Sequence, residues 1–301
     1  MKTTHQYGAG ADRTSEMNGF FDSLKVSDVS FRVLNLESVA SFYRDVVGLR
    51  ETGRDRTTVR FSASGQEPAQ IVLIGDPGAH PRSLNSPGLF HTALLLPSRK
   101  ELAGTVRHIG ERGWRFQGFA DHGVSEAAYL TDPEGNGLEL YRDRPKEEWP
   151  GGESGVAMVT EPLDVPGLIA EAPDPESPYR NIHPRTVIGH IHLQVSSLEN
   201  GQTFYHDLLG LDVTQRDYPG ALFLSANGYH HHVGLNVWNS RGAHPSPSGS
   251  SGLVSFGIAV GRSHVEEILA RADQKHMSVH KSHLGFRIMD PDEIPLELSI
   301  L

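Results

Sequence analysis

The stretch Asn200-Gly-Gln-Thr-Phe-Tyr-His-Asp-Leu-Leu-Gly-Leu211 repeats Ser38-Val-Ala-Ser-Phe-Tyr-Arg-Asp-Val-Val-Gly-Leu49 almost position for position. This duplication narrows the possible folds more than any other feature of the chain. Apolar residues at helical spacing (Val39, Phe42, Tyr43, Val46, Val47) end at Gly48, so the motif reads as a helix with a glycine stop. A strand precedes it at Val29 to Leu34, and strands follow at Thr58 to Ser62 and Gln70 to Ile74, punctuated by Ser-Gly and Pro-Gly. That is a βαβββ module, and the second copy starts a like module at Ile188. A related module runs from Gly88 to Tyr141, with a strand at His91 to Leu96, a helix from Arg99 to Gly110 and a closing Asp132-Pro-Glu-Gly-Asn-Gly-Leu-Glu139. Its echo, Gly252 to Leu301, closes with Asp290-Pro-Asp-Glu-Ile-Pro-Leu-Glu297. The expected fold is therefore α+β, four βαβββ modules in two pairs. The expected division is an N-terminal segment, 1–25; a half with two modules, 26–145; a Pro-, Gly- and acid-rich connector, 146–186, with one helical turn near Val165 to Ala170; and a second half, 187–301.

Repeats supply an internal control, because positions where two copies differ are not dictated by the fold. In the strand Ile188 to Val195, side chains alternate, so His190, His192 and Gln194 share one face. Module one has Asp28 and Ser30 in place of the two histidines, and module four has Ser255 where module two has His91. A strand histidine is often only a hydrogen-bonded structural residue. Here the fold evidently does without it elsewhere. Glu139 lies in an otherwise apolar strand, an expensive place for a carboxylate without a partner. The chain has no cysteine, so any metal must be held by His, Asp or Glu. His91, Glu139 and His190 make a two-histidine, one-carboxylate set, which leaves open positions on non-haem Fe(II), or alternatively Mn(II).

Tyr229-His230-His231-His232-Val233 is expected to open the last strand of module three, with His231 on the face of Val233 and Leu235 and its two neighbours on the other. Trp238 and the Pro/Ser/Gly-rich stretch 239–251 either shape the mouth of a site or form a solvated loop.

The four modules, Gly189-His190, Phe90-His91, the Asp-Pro-x-Gly-x-Gly-x-Glu139 closure and the His-His-x-Val-x-Leu ending resemble the vicinal oxygen chelate superfamily. More narrowly they resemble its type I extradiol ring-cleavage dioxygenases, from about Val29 to the C-terminus. The resemblance implies paired open-barrel cups and an Fe(II) or Mn(II) ion on His91, Glu139 and His190. It also implies His231 as acid–base, with Tyr129 and His122 beside the substrate, and an aromatic 1,2-diol with O2 as reactants. His190 is preferred to His192 because the Gly-His start matches the family. His192, Asn236 and Trp238 are then expected to line the pocket. One departure matters: the ligands here come from modules two and three, so those two must pack as one cup, within the chain or across a subunit interface.

The balance is acidic, 37 Asp and Glu against 27 Lys and Arg, which disfavours nucleic acid and anionic membranes as partners. No secretory h-region or membrane-length apolar run occurs, so the expectation is a cytoplasmic homo-oligomer with a poorly ordered N-terminal segment. Two other functions share these features: a metal-dependent isomerase, lyase or transferase of the glyoxalase fold, and a metal-free protein that binds a small aromatic.

Overall fold

The computed structural model describes residues 24–152, 155–174, 179 and 181–301; nearly all of the expected N-terminal segment lies outside them. The first module comprises β1 Lys25–Val33, α1 Leu36–Ser41 (extended by a π-helical turn, Phe42–Val47), β2 Arg50–Arg54, β3 Thr58–Ser62 and β4 Ile71–Gly75. The second comprises β5 Gly88–Leu95, α2 Arg99–Glu111, β6 Gly118–Asp121, β7 Ser125–Thr131 and β8 Gly137–Asp143. The connector carries a two-stranded ribbon, β9 Gly151–Gly152 with β10 Gly155–Val156, and α3 Val165–Ala170. The third module follows with β11 Val187–Gln194, α4 Leu198–Gln202 (again extended by a π-helical turn, Thr203–Leu208), β12 Asp212–Gln215, β13 Ala221–Ser225 and β14 Val233–Asn236. The fourth has β15 Gly252–Val260, α5 Arg262–Gln274, β16 Val279–Lys281, β17 Phe286–Met289 and β18 Pro295–Ile300.

Local chemistry sets these boundaries. The side chains of Asn35, Ser98 and Ser197 accept hydrogen bonds from the backbone N–H groups of Ser38, Glu101 and Asn200, capping α1, α2 and α4. In α2, Leu102, Val106 and Ile109 recur at helical spacing and are buried against the sheet. The duplicated Phe-Tyr pairs, Phe42-Tyr43 and Phe204-Tyr205, are buried in matching places.

The modules form two eight-stranded sheets, and each sheet takes one module from either side of the connector. Modules four and one make the order β16-β17-β18-β15-β1-β4-β3-β2; modules three and two make β12-β13-β14-β11-β5-β8-β7-β6. Each has an antiparallel seam at its centre, β1 with β15 and β5 with β11. The cup required by the ligand positions thus closes within one chain. Its seam sets the register: His190 lies opposite Ala93 and His192 opposite His91, with Gly189 as an extra residue in a bulge. Gly189 has a reason to be glycine, because a Cβ there would sit 1.8 Å from the Tyr141 hydroxyl.

Candidate metal centre

Two of the candidate ligands, Glu139 and His190, share one row across the sheet with Tyr129 and Ala93. β7 sets Tyr129 beside Glu139, β8 sets Glu139 beside Ala93, and β11 sets His190 on the other side of Ala93. Because Ala93 contributes only a methyl, the row is open at its centre, and His91 reaches in from the adjacent row. His91 Nε2 lies 3.0 Å and His190 Nε2 3.1 Å from the same Glu139 oxygen, Oε2. All three ligand atoms fall within 4.8 Å of one another, and the residues are 7%, 2% and 2% exposed.

The electrostatics suit a cation at this point. Burial by itself would raise the Glu139 pKa, but the imidazoles of His190 and His91 outweigh it and hold the carboxyl well below its usual range. Burial lowers His190 to about 4, so it is neutral with a lone pair to offer at neutral pH. His91 Nε2 is buried beside the Glu139 carboxylate but makes no well-aligned hydrogen bond to it, as expected of an atom placed to bind something else. Two imidazole nitrogens and a carboxylate oxygen fit a divalent first-row ion.

A cavity of about 270 Å³ opens onto these residues and is lined by His122, Tyr129, His192, His231 and Trp238 as well as His91 and Glu139. His192 stays outside the three-ligand cluster; its ring packs edge-on to Phe90 and His91 and against Trp238. Tyr129 and His122 are joined, Tyr129 Oη to His122 Nε2 at 2.7 Å, while His122 Nδ1 lies 2.7 Å from the Val159 carbonyl. Burial, with the Glu139 charge beside it, pushes the Tyr129 phenol well above its ordinary pKa. Trp238 is 43% exposed at the cavity edge, held by an indole N–H donated to the Pro219 carbonyl. Asn236 is not among the cavity-lining residues; it is buried and its Oδ1 accepts the Trp238 backbone N–H.

The histidine triplet departs from the expected alternation. β14 begins at Val233, and the three histidines belong to the turn before it. Val233 and Leu235 pack in the core, and it is Gly234 that faces the cavity side, where a Cβ would meet the His192 ring at 2.9 Å. His231 nevertheless lines the cavity, its ring 4.0 Å from that of His190, because an irregular turn is free of the strand's period. Burial, reinforced by the surrounding histidines, keeps its pKa well below the ordinary imidazole value.

Sequence reasoning missed the rest of the wall: Phe90, Tyr218, Phe223 and a connector segment, Met158-Val159-Thr160. That part of the connector is held in place where Asp121 and Glu161 exchange backbone hydrogen bonds, so it is part of the site as well as a link. Nothing in its composition marks it.

Comparison with known proteins identifies the family and the fold. The family model described as "Glyoxalase/Bleomycin resistance protein/Dioxygenase superfamily" matches residues 25–140 and 187–298. A catechol-2,3-dioxygenase of Bacillus subtilis (strain 168) is 37% identical over 284 residues, covering 91% of this chain and 96% of that protein. Biphenyl-2,3-diol 1,2-dioxygenase 3 of Rhodococcus globerulus is 28% identical over 144 residues, 46% of this chain and 75% of that protein. Among solved structures, glyoxalase I from Zea mays superposes with a TM-score of 0.56 at 15% identity, covering 92% of each chain, a likeness of fold alone. No helix among the described residues is long and apolar enough to cross a membrane.

Proposed function

The chain belongs to the Glyoxalase/Bleomycin resistance protein/Dioxygenase superfamily, and from that membership and the geometry of its buried site we propose extradiol cleavage of an aromatic 1,2-diol by dioxygen. The observation that carries this reading is the convergence of His91, Glu139 and His190, the first two of which line a cavity that also presents His231. These three residues would hold the ion, which we take to be Fe(II), with Mn(II) as the alternative. When bound, the ion would supply Lewis acidity toward a chelating diol and a redox-active centre for dioxygen.

The chain's own residues account for the rest. His231, unprotonated at neutral pH, accepts the proton of a diol hydroxyl and can return it later in the reaction. Tyr129 keeps its proton, and with His122 it forms a hydrogen-bonded pair at the cavity edge that can turn toward a substrate oxygen. Phe90, Phe223 and Trp238 present aromatic surface to a flat ring and exclude water around it. A volume of about 270 Å³ is near the lower end of the usual range for ligand pockets and suits a one-ring substrate. Both atoms of dioxygen would enter the product, a ring-opened acid bearing an aldehyde.

The test is anaerobic loading of the protein with Fe(II), then catechol, then air. We expect the yellow ring-fission product with matching oxygen uptake. Protein shown to contain Fe(II) that turns over neither catechol nor substituted catechols would overturn the proposal.

A further inference from the structure

We propose that Asp143 and His230 are positioning residues that hold His231 in the single tautomer whose Nε2 is a proton acceptor facing the cavity. The three are linked in series. His230 Nε2 lies 2.9 Å from Asp143 Oδ1, and His230 Nδ1 lies 2.9 Å from His231 Nδ1. The Tyr229 hydroxyl lies 3.1 and 3.0 Å from the two Asp143 oxygens, and the Tyr141 hydroxyl 2.8 Å from that of Tyr229. His230 is 1% exposed, with the Trp149 ring packed edge-on against it.

With an ionised carboxylate and two neutral imidazoles, proton counting along this chain leaves one arrangement. An ionised carboxylate only accepts, so the hydrogen between Asp143 and His230 must sit on His230 Nε2. A neutral imidazole carries one N–H, so His230 Nδ1 is a lone pair. The short contact to His231 is then a hydrogen bond only if His231 carries its hydrogen on Nδ1. His231 Nε2 is left as a lone pair, the state a base needs to take a hydroxyl proton. The opposite tautomer would set two lone pairs against each other at the His230–His231 contact. Orientation of a catalytic imidazole by a carboxylate is a general device whose loss leaves the geometry intact and the tautomer wrong.

The other sheet shows that the fold itself does not require this chain. Counting outward from the last paired positions, Ala69 and Pro68 stand at the places of His231 and His230, and Leu301 at that of Asp143. The three residues are absent together in the sheet that also lacks His91 and His190.

The test reads the tautomers directly in full-length protein labelled with 15N-histidine, by long-range 15N–1H correlation. In the wild type we expect His231 as the Nδ1–H form and His230 as the Nε2–H form. In Asp143→Asn the amide can donate to His230 Nε2, and His231 should shift toward the Nε2–H form. His230→Phe, which keeps ring volume but offers no acceptor, should leave a mixture. A wild-type His231 that is Nε2–H or doubly protonated would overturn the proposal. So would a His231 that stays purely Nδ1–H in both variants. These spectra need no substrate, so they stand whether or not catechol is turned over. A second arm rests on the proposed dioxygenase reading: with catechol, kcat of Asp143→Asn should fall about 10- to 100-fold with KM little changed. A fall in KM affinity alone would count against a role in proton acceptance.

Discussion

The two sheets share strand order and register, yet they treat a buried carboxylate in opposite ways. Glu139 and Glu297 occupy equivalent places on their closing strands, and each is 2% exposed. Beside Glu139 the neighbouring strand presents Tyr129; beside Glu297 it presents Arg287. Arg287 Nε donates to Glu297 Oε1 at 2.6 Å, and its Nη2 closes on the same oxygen. An arginine is always charged, so the second sheet neutralises its carboxylate with a protein cation. Glu139 meets two imidazoles, one of them neutral through burial, and the Tyr129 phenol in place of an arginine, and so keeps a charge that an external cation could balance. Cavity size does not make this distinction. A larger cavity, about 720 Å³, adjoins the second sheet and is lined by Asp28 and Glu297, but its lining has no counterpart of His91 or His190; the one imidazole in it, His232, comes from the other sheet. The difference teaches that donor identity and charge balance, on an unchanged architecture, decide which cup is chemical.

The sharpest way to break this comparison is to neutralise each carboxylate in turn. Glu139→Gln should lower metal affinity by about 100-fold or more, since one of three ligands is lost, whereas Glu297→Gln should leave metal content per chain unchanged. Elemental analysis after Fe(II) loading and desalting checks both.

The closing turns are alike in the two sheets. Asp290, buried behind the Tyr205 hydroxyl, is raised by burial to about 7, and its counterpart Asp132 is raised too. A folded-state pKa above the unfolded value means the native protein binds this proton more tightly. The contribution is therefore fully present below about pH 4 and is lost as pH rises through about 7. Melting temperature against pH should decline over that window, by up to about 1.4 kcal/mol of stability per pH unit, and Asp290→Asn should flatten the slope.

A second contrast lies one row from the candidate ligands. Gly189 and Tyr141 meet in the sheet that carries His91, Glu139 and His190, where the other sheet has Ser27 and Ser299. Gly189→Ala should therefore cost about 1–3 kcal/mol by overpacking against the tyrosine hydroxyl, while Ser27→Ala should change stability by less than about 0.5 kcal/mol. Urea titration of both variants separates these outcomes. The smallest effect is expected at His192, whose ring lines the cavity without joining the ligand cluster. His192→Ala should retain the metal and raise KM for catechol about three-fold, reflecting lost wall contact.

The strands and helices were legible because their apolar periods are strong and because each module could be compared with another. α3 falls at the expected Val165 to Ala170, and α2 differs from expectation by one residue at its end. His91, Glu139 and His190 stood out for a related reason: polar residues at core positions of one copy, with Asp28 and Ser255 showing that the fold tolerates others. His231 was legible as a residue and not as a direction, since the two-residue period holds only inside a ladder and β14 starts after it. Phe223, Tyr218 and Met158 left no signal, because an aromatic or apolar side chain reads the same in a core and in a cavity wall.

The chain alone determined four βαβββ modules, a cysteine-free donor set and the need for modules two and three to meet. Those follow from local periodicity and residue chemistry, which depend on near neighbours in sequence. Only the tertiary structure decided that the two modules meet within one chain and that Ala93 leaves room between Glu139 and His190. It also brought Arg287 to Glu297 and Asp143 to His230. Each of these is a contact between strands, set by register and side-chain packing across the sheet, and no period along a single strand encodes it.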